Sequence, residues 1–457
     1  MLGTVSNVEG SSAETGQLKR EFKERHVSMI AVAGAIGTGL VIGSGTGLVR
    51  GGPPSLLIAY SLIGAVVFFI MTAVGEMATM LPSDKGFAGY ATRFVDPALG
   101  YATGWNYFLK YAIVLPNNLT AAGIIIQYWR PDLNVAIFVI TFTVVIVGVN
   151  LPHVSFFGEA EFWMSAVKLL VITMLVLTCF IISMGGQPSG EVIGFKYWAN
   201  LGAFGSYLVE GPTGRFLGFW AATVQACFAY TGTEVVGVAF GEAPNPRRTI
   251  RKAVRQTLWR IVFFYVLGVL VLGMSVPYTN GMLIGGTKKG TGAAASPAAN
   301  SDIYIGSRTL FGLARDGQAP GIISKTTGKG VPIYGVAITS VFAVLAYMNA
   351  AKSSSQVFGY LVSLVTVFGT LNWVSVLLSY IQFTRGMKAQ GIPRSMMPYR
   401  GPLQPYGSYK VYAKTKKVEL HEMDLYSNRL EDDGNKYPGS LEKAALWVLY
   451  ALDSRSD

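Results

Sequence analysis

The chain alternates long apolar runs with short polar stretches. Nine runs are long enough to cross the ~30 Å of hydrocarbon in a bilayer. They begin near Val27, Ser55, Leu99, Val135, Glu159, Phe216, Gln256, Pro332 and Gln356. Each is expected to be a helix, because a backbone in lipid must satisfy its own polar groups. The fourth is the shortest; the third is long and contains Pro116. The pattern predicts an all-α polytopic membrane protein with about nine transmembrane helices. A cytoplasmic tail covers residues 1–26, a transmembrane domain 27–382 and a second cytoplasmic tail 383–457.

Two runs are interrupted. The first, MIAVAGAIGTGLVIGSGTGLV, has Gly34, Gly37, Gly39, Gly43, Gly45 and Gly47 within fourteen residues. Helix packing alone would explain Gly43 and Gly47, but the Ile36-Gly37-Thr38-Gly39 cluster is denser than packing needs. The sixth contains FAYTGTEVV, which sets Gly232 among polar residues and places Glu234 in hydrocarbon. Paired interrupted helices at corresponding positions are the pattern of an inverted-repeat transporter. A broken helix offers N–H groups at one new end and C=O groups at the other, which together suit a zwitterion.

Composition agrees with this reading. The 457 residues are 51% hydrophobic and 14% charged, with mean hydropathy +0.41. A soluble chain carries roughly a quarter charged residues. The formal charge of +12 collects between spans and at the ends, as in cytoplasmic loops, and does not point to nucleic acid. Cys179 and Cys227 lie in apolar runs and read as small buried hydrophobes, not a disulfide. The polar N-terminus shows no cleaved signal peptide, so the first span serves as the membrane signal.

Charge also sets orientation. Lys19, Arg20, Lys23 and Arg25 place the N-terminus inside, and Arg247, Arg248, Arg251, Lys252 and Arg255 place the loop after span six inside. The outside loops hold only Arg50, Arg130, Lys196 and Arg215. Beyond span seven the rule fails. Parity puts Lys288, Lys289, Arg308, Arg315, Lys325 and Lys329 outside, and with them a tail that has twelve Lys and Arg after Phe383. Either an odd number of spans is missing before Pro332, or the rule is overridden.

Specific stretches resemble a known family. RHVSMIAVAGAIGTGLVIGSG (25–45), GEMATMLP (75–82), FVDPALGYATGWNYFLKYAIVLPNNLTAA (94–122) and FAYTGTEVVGVAFGEAPNPRRTI (228–250) resemble the fungal amino acid permeases of the amino acid–polyamine–organocation superfamily. SRTLFGLARDGQAP (307–320) and MPYRGPLQPYGSY (397–409) extend the likeness, and KYAIVLPNNLTAA is most similar to the dicarboxylic branch. The resemblance implies a five-plus-five inverted-repeat fold with two further C-terminal helices. It also implies proton-coupled uptake of L-amino acids across the plasma membrane. The chain departs from the family in two places. SPAANSD closes up after Pro297 where the family has a full eighth span, and Lys410 begins a tail-like stretch where spans eleven and twelve would follow. Loss of spans 8, 11 and 12 by splicing or gene prediction is the expectation.

The resemblance, with helix-terminus anion binding, implies that N–H groups of Ile36, Gly37, Thr38 and Gly39 hold the substrate carboxylate. Carbonyls around Phe228, Ala229 and Tyr230, beside Gly232, would receive the ammonium, with Tyr230 closing over the substrate. Ordinary packing is the alternative for both segments. Glu234 is either a protonatable gate or a structural carboxylate. Lys168 lies well inside the fifth run. It either snorkels or takes the place that a coupling sodium ion has in some relatives, which implies a sodium-independent cycle. Lys110 either neutralises an acidic substrate's side chain or pairs structurally with Glu234 or another acid.

Glu76, Glu242 and the neighbouring arginines read as an intracellular gate or as an orientation signal. Residues 440–452 are too short to cross and suit a helix lying on the membrane or a partner. No catalytic triad, metal cluster or phosphate loop is visible, so neither an enzyme nor a cofactor is expected. The expected partners are an amino acid, protons and the lipid bilayer. An amino acid sensor or an inert shortened isoform is the alternative function.

Overall fold

The computed structural model describes residues 24–29, 36–37, 39–83, 85–129, 134–152, 154–188, 190–199, 202–235, 237, 246–281, 283–284, 298–328, 330–350, 354–402 and 404. The junction at residue 297 and the tail beyond 404 lie outside them. Among the described residues all regular structure is helical, as the apolar runs require. The long elements in chain order are α1 (Ser44–Met80), α2 (Gly86–Phe94), α3 (Pro97–Trp129), α4 (Val135–Asn150), α5 (Val154–Ser183) and α6 (Gly211–Tyr230). Then come α7 (Pro246–Arg260), α8 (Ala298–Arg315), α9 (Ile333–Val341) and α10 (Ser354–Ala389). A π-helical run, Ile261–Leu267, and an α stretch, Gly268–Ser275, carry α7 onward.

α1 holds the end of span one and all of span two. They part at Gly52, whose φ of 76° only glycine adopts easily, followed by Pro53 and Pro54. By length and apolar content Gly39–Met80, Ser155–Ser183, Thr249–Ser275 and Val357–Ala389 can cross a membrane. α3 and α6 occupy the places of spans three and six but are diluted by buried polar residues, among them Lys110, Asn117 and Gln225.

The bundle is apolar on its outside. α5 exposes Trp163, Val167, Leu170 and Met174, each more than half accessible. Its buried positions Glu161, Ser165, Lys168 and Ile172 form the opposite stripe at helical spacing. Lys168 therefore faces the bundle and does not snorkel outward.

One helix was not among the nine expected. α8 is buried almost throughout from Asn300 to Ala314 and packs against α3, α9 and α4. Its polar composition hides it from a hydropathy reading, because protein and not lipid surrounds it. α8 also answers the parity problem. Asp316, just past its end, pairs with Lys85 at the inner end of span two. Arg394, beyond α10, pairs with Glu76 of α1, and Arg251 of α7 donates to the Pro398 carbonyl at 2.7 Å. The ends of α1, α8 and α10 thus gather on the face where α7 begins, the face the basic residues assign to the cytoplasm. α8 is thus the additional helix that the parity count lacked before Pro332, and Arg394 and Pro398 lie on the same face as the start of α7.

Candidate functional site between two broken helices

Both predicted breaks are present. Before α1 the backbone is non-helical at Ile36 and Gly37, then π-helical over Gly39–Gly43. α6 stops at Tyr230, and residues 231–234 form turns in which Gly232 has φ 99°, a left-handed conformation that disfavours any side chain. The breaks meet. A Cβ on Gly39 would stand 2.7 Å from Ala229 Cα and 2.9 Å from the Phe228 carbonyl oxygen, so only glycine permits this approach.

A cavity of about 50 Å³ opens at the meeting point, room for a few waters. Gly37 and Gly39 line it from one break, and Phe228, Ala229, Thr231 and Gly232 from the other. Ile36 is buried in the main core and does not line the cavity; Thr38 lies outside the described residues. Tyr230 departs from expectation. Its hydroxyl donates to the Tyr60 carbonyl at 3.0 Å, and its ring stacks on Tyr265 with centroids 4.3 Å apart. Its own carbonyl accepts from the Thr233 hydroxyl and N–H. Tyr230 is thus a packed strut behind the site, not a lid; its carbonyl accepts two hydrogen bonds, whereas the Phe228 carbonyl accepts from the Thr231 N–H and the Ala229 carbonyl from the Tyr265 hydroxyl, each with a second lone pair left.

Lys110 and Glu234 form a fully buried ion pair. Trp373 Nε1 donates to the other Glu234 oxygen at 3.4 Å, and Lys110 Nζ lies 4.8 Å from the Tyr111 ring centroid. Two charges leave water at a cost of several kcal/mol each, which only a close partner offsets. Of the two alternatives for Lys110, the pair with Glu234 is the one this structure shows, and pairing with a substrate requires that ion pair to open.

Three site residues were not among the expected ones. Asn117 lines the cavity at 0% exposure, and neither its amide oxygen nor its nitrogen has a partner among the described residues. Asp302 of α8 lines it too and accepts from Asn118 Nδ2 at 2.7 Å. Buried polar atoms without partners cost stability unless a ligand or water meets them. Asn117 and Asn118 sit inside an apolar run, so the rule that singled out Glu234 would have found them. Asp302 carried no such signal, because its helix was not counted as a span.

Six of the buried ionisable groups interact with one another. Asp302 feels Glu161, Lys110 and Lys168, while Arg260 of α7 feels Glu234. Asn300 Nδ2 donates to Glu161 at 3.2 Å and Asn300 Oδ1 accepts from Asn150 Nδ2 at 2.9 Å, tying α4, α5 and α8 together. Lys110, Lys168 and Arg260 balance Glu161, Glu234 and Asp302, so these six sum to neutrality when all are ionised.

Comparisons with known proteins fit this geometry. The sequence model of the amino acid permease family matches residues 26–297 and 290–414, two stretches that overlap at 290–297. An uncharacterised amino-acid permease of Schizosaccharomyces pombe is 55% identical over 89% of this chain and 83% of its own length. The dicarboxylic amino acid permease of Saccharomyces cerevisiae is 43% identical, over 87% and 70%. The proline-specific permease of Emericella nidulans is 36% identical, over 90% and 80%. All three relatives are permeases by name. With a match across most of its length and an all-helical bundle opened at two breaks, this chain belongs to the amino acid permease family.

Proposed function

We propose that this chain takes up acidic L-amino acids with protons across the plasma membrane. The observation that carries the reading is the meeting of the two broken helices at one cavity. Gly37 and Gly39 stand where helix N–H groups receive a carboxylate, and the α6 end at Phe228 and Ala229 where carbonyls receive an ammonium. Gly232 supplies the turn that opens the carbonyl end. An amino acid needs more room than the cavity has, so binding widens it.

Charge balance supports the proton. A neutral zwitterion adds no net charge to the site, whereas an acidic amino acid adds one negative charge. Protonation of Glu234 offsets that added charge and frees Lys110, which then pairs with the substrate's side-chain carboxylate. Lys110 is never left without an anion in this exchange. The other groups facing Glu234 are Tyr107 and Tyr111 of α3, Arg260 of α7, Tyr265 of the π-helical run that follows it and Trp373 of α10. Lys168, on the inward stripe of α5, supplies a fixed positive charge without sodium. The likeness to a dicarboxylic permease points to the same substrate class.

Labelled glutamate and proteoliposomes with an acidic exterior test this. Accumulation that persists when choline replaces sodium, and collapses when a protonophore removes the gradient, is the expected result. Binding without accumulation would make the protein a sensor, and absence of both would make it an inert form; either outcome rejects the transport reading.

A further inference from the structure

Along α7 and the π-helical run that continues it, Lys252, Arg255, Trp259, Val262 and Phe263 are all exposed, and positions 252, 255, 259 and 262 recur at spacings of three and four. The stripe changes character along its length. Trp259 and Phe263 are 57% and 50% accessible and continue the apolar exterior, while Arg255 and Lys252 lie about one and two turns closer to the cytoplasmic end. The exposed face of α1 runs alongside through Ile58, Leu62 and Val66.

Between the two helices at the cytoplasmic end lies a groove of about 620 Å³. Arg251, Lys252 and Arg255 line one side, Phe68 and Leu258 its apolar part, and Tyr399 the opposite side. No carboxylate is among the described residues that line it. Glu76, the nearby acid, is engaged by Arg394, by the Tyr380 hydroxyl and by the Gly401 N–H at 2.6 Å. The bond from Arg251 to the Pro398 carbonyl fixes the strap that carries Tyr399. Burial pushes the Tyr399 phenol up to about 12, so it stays a neutral hydrogen-bond donor.

We propose that this groove binds the headgroup phosphate of an anionic phospholipid of the cytoplasmic leaflet. Its acyl chains run down past Phe68, Leu258 and Trp259. Three cations and a phenol match the headgroup, and the apolar wall that continues into the lipid-facing stripe favours a lipid over a free anion. Basic pockets between membrane helices on the cytoplasmic side recognise lipid headgroups by this chemistry.

Native mass spectrometry of the full chain, titrated with phosphatidylserine or phosphatidylcholine, tests it. The parent is expected to retain phosphatidylserine in preference to phosphatidylcholine. Lys252→Gln with Arg255→Gln weakens that binding about thirty-fold, about 1 kcal/mol for each cation removed. The charge-keeping pair Lys252→Arg with Arg255→Lys holds the lipid as the parent does. If the double glutamine variant unfolds, each single variant is measured instead, with about a five-fold loss expected. Equal retention of the two lipids, undiminished binding by the glutamine variants, or displacement by excess inorganic phosphate would each overturn the proposal.

Discussion

Lys110→Met will destabilise the folded protein by about 3–5 kcal/mol, because it strands a buried carboxylate. Glu234 is 1% exposed, and its remaining direct partner is the indole N–H of Trp373 at 3.4 Å. Thermal unfolding of the detergent-solubilised variant measures the loss. Adding Glu234→Gln should recover most of it, since the double variant removes both charges together. Stability and transport then separate: the double variant folds, yet it no longer prefers glutamate to glutamine and no longer responds to pH. A single variant as stable as the parent would mean that the ion pair contributes little. A double variant that keeps the acidic preference would locate that preference elsewhere.

Gly39→Ala is the second severe change. The added methyl would meet backbone on three sides: Ala229 Cα at 2.7 Å, the Phe228 oxygen at 2.9 Å and the Ala229 nitrogen at 3.0 Å. Backbone at a helix end cannot swing aside as a flexible side chain can, so the two broken helices must separate. Overpacking of this kind costs about 1–3 kcal/mol. It also moves the anion-receiving and cation-receiving poles apart, at a site where a shift of about 1 Å can cost 10²-fold. Glutamate uptake should fall at least tenfold while the protein still reaches the membrane. Gly45→Ala is the control, because its Cβ meets only the Leu283 side chain at an ordinary 3.6 Å. Equal uptake by the two variants would show that the close approach is not needed.

Both breaks were legible in the sequence, since glycine beside polar residues in hydrocarbon has few other uses. Glu234 was legible for the same reason, but its partner was not. Lys110 is 124 positions away, and only the packing of α3 against the end of α6 joins them. Tyr230 was misread because a tyrosine beside a break can face the cavity or the core, and its direction depends on the Tyr60 carbonyl and the Tyr265 ring. Lys168 was more readable than it first looked: Glu161, Ser165 and Lys168 recur at helical spacing, so a polar stripe on α5 was on the page. α8 was the true blind spot. Hydropathy reports the surface offered to lipid, and a helix enclosed by α3, α4 and α9 offers almost none.

The central claim is that Glu234 and the substrate's side-chain carboxylate alternate on Lys110. Affinities for glutamate and glutamine, measured across about pH 5 to 8 where free glutamate keeps its side chain ionised, test it most directly. In the parent, glutamate binding takes up one proton, so its affinity should rise as pH falls while that for glutamine stays level. In Glu234→Gln the lysine is already free, so glutamate should bind tightly and without pH dependence. A Glu234→Gln protein that keeps the parent's pH dependence for glutamate would contradict the exchange.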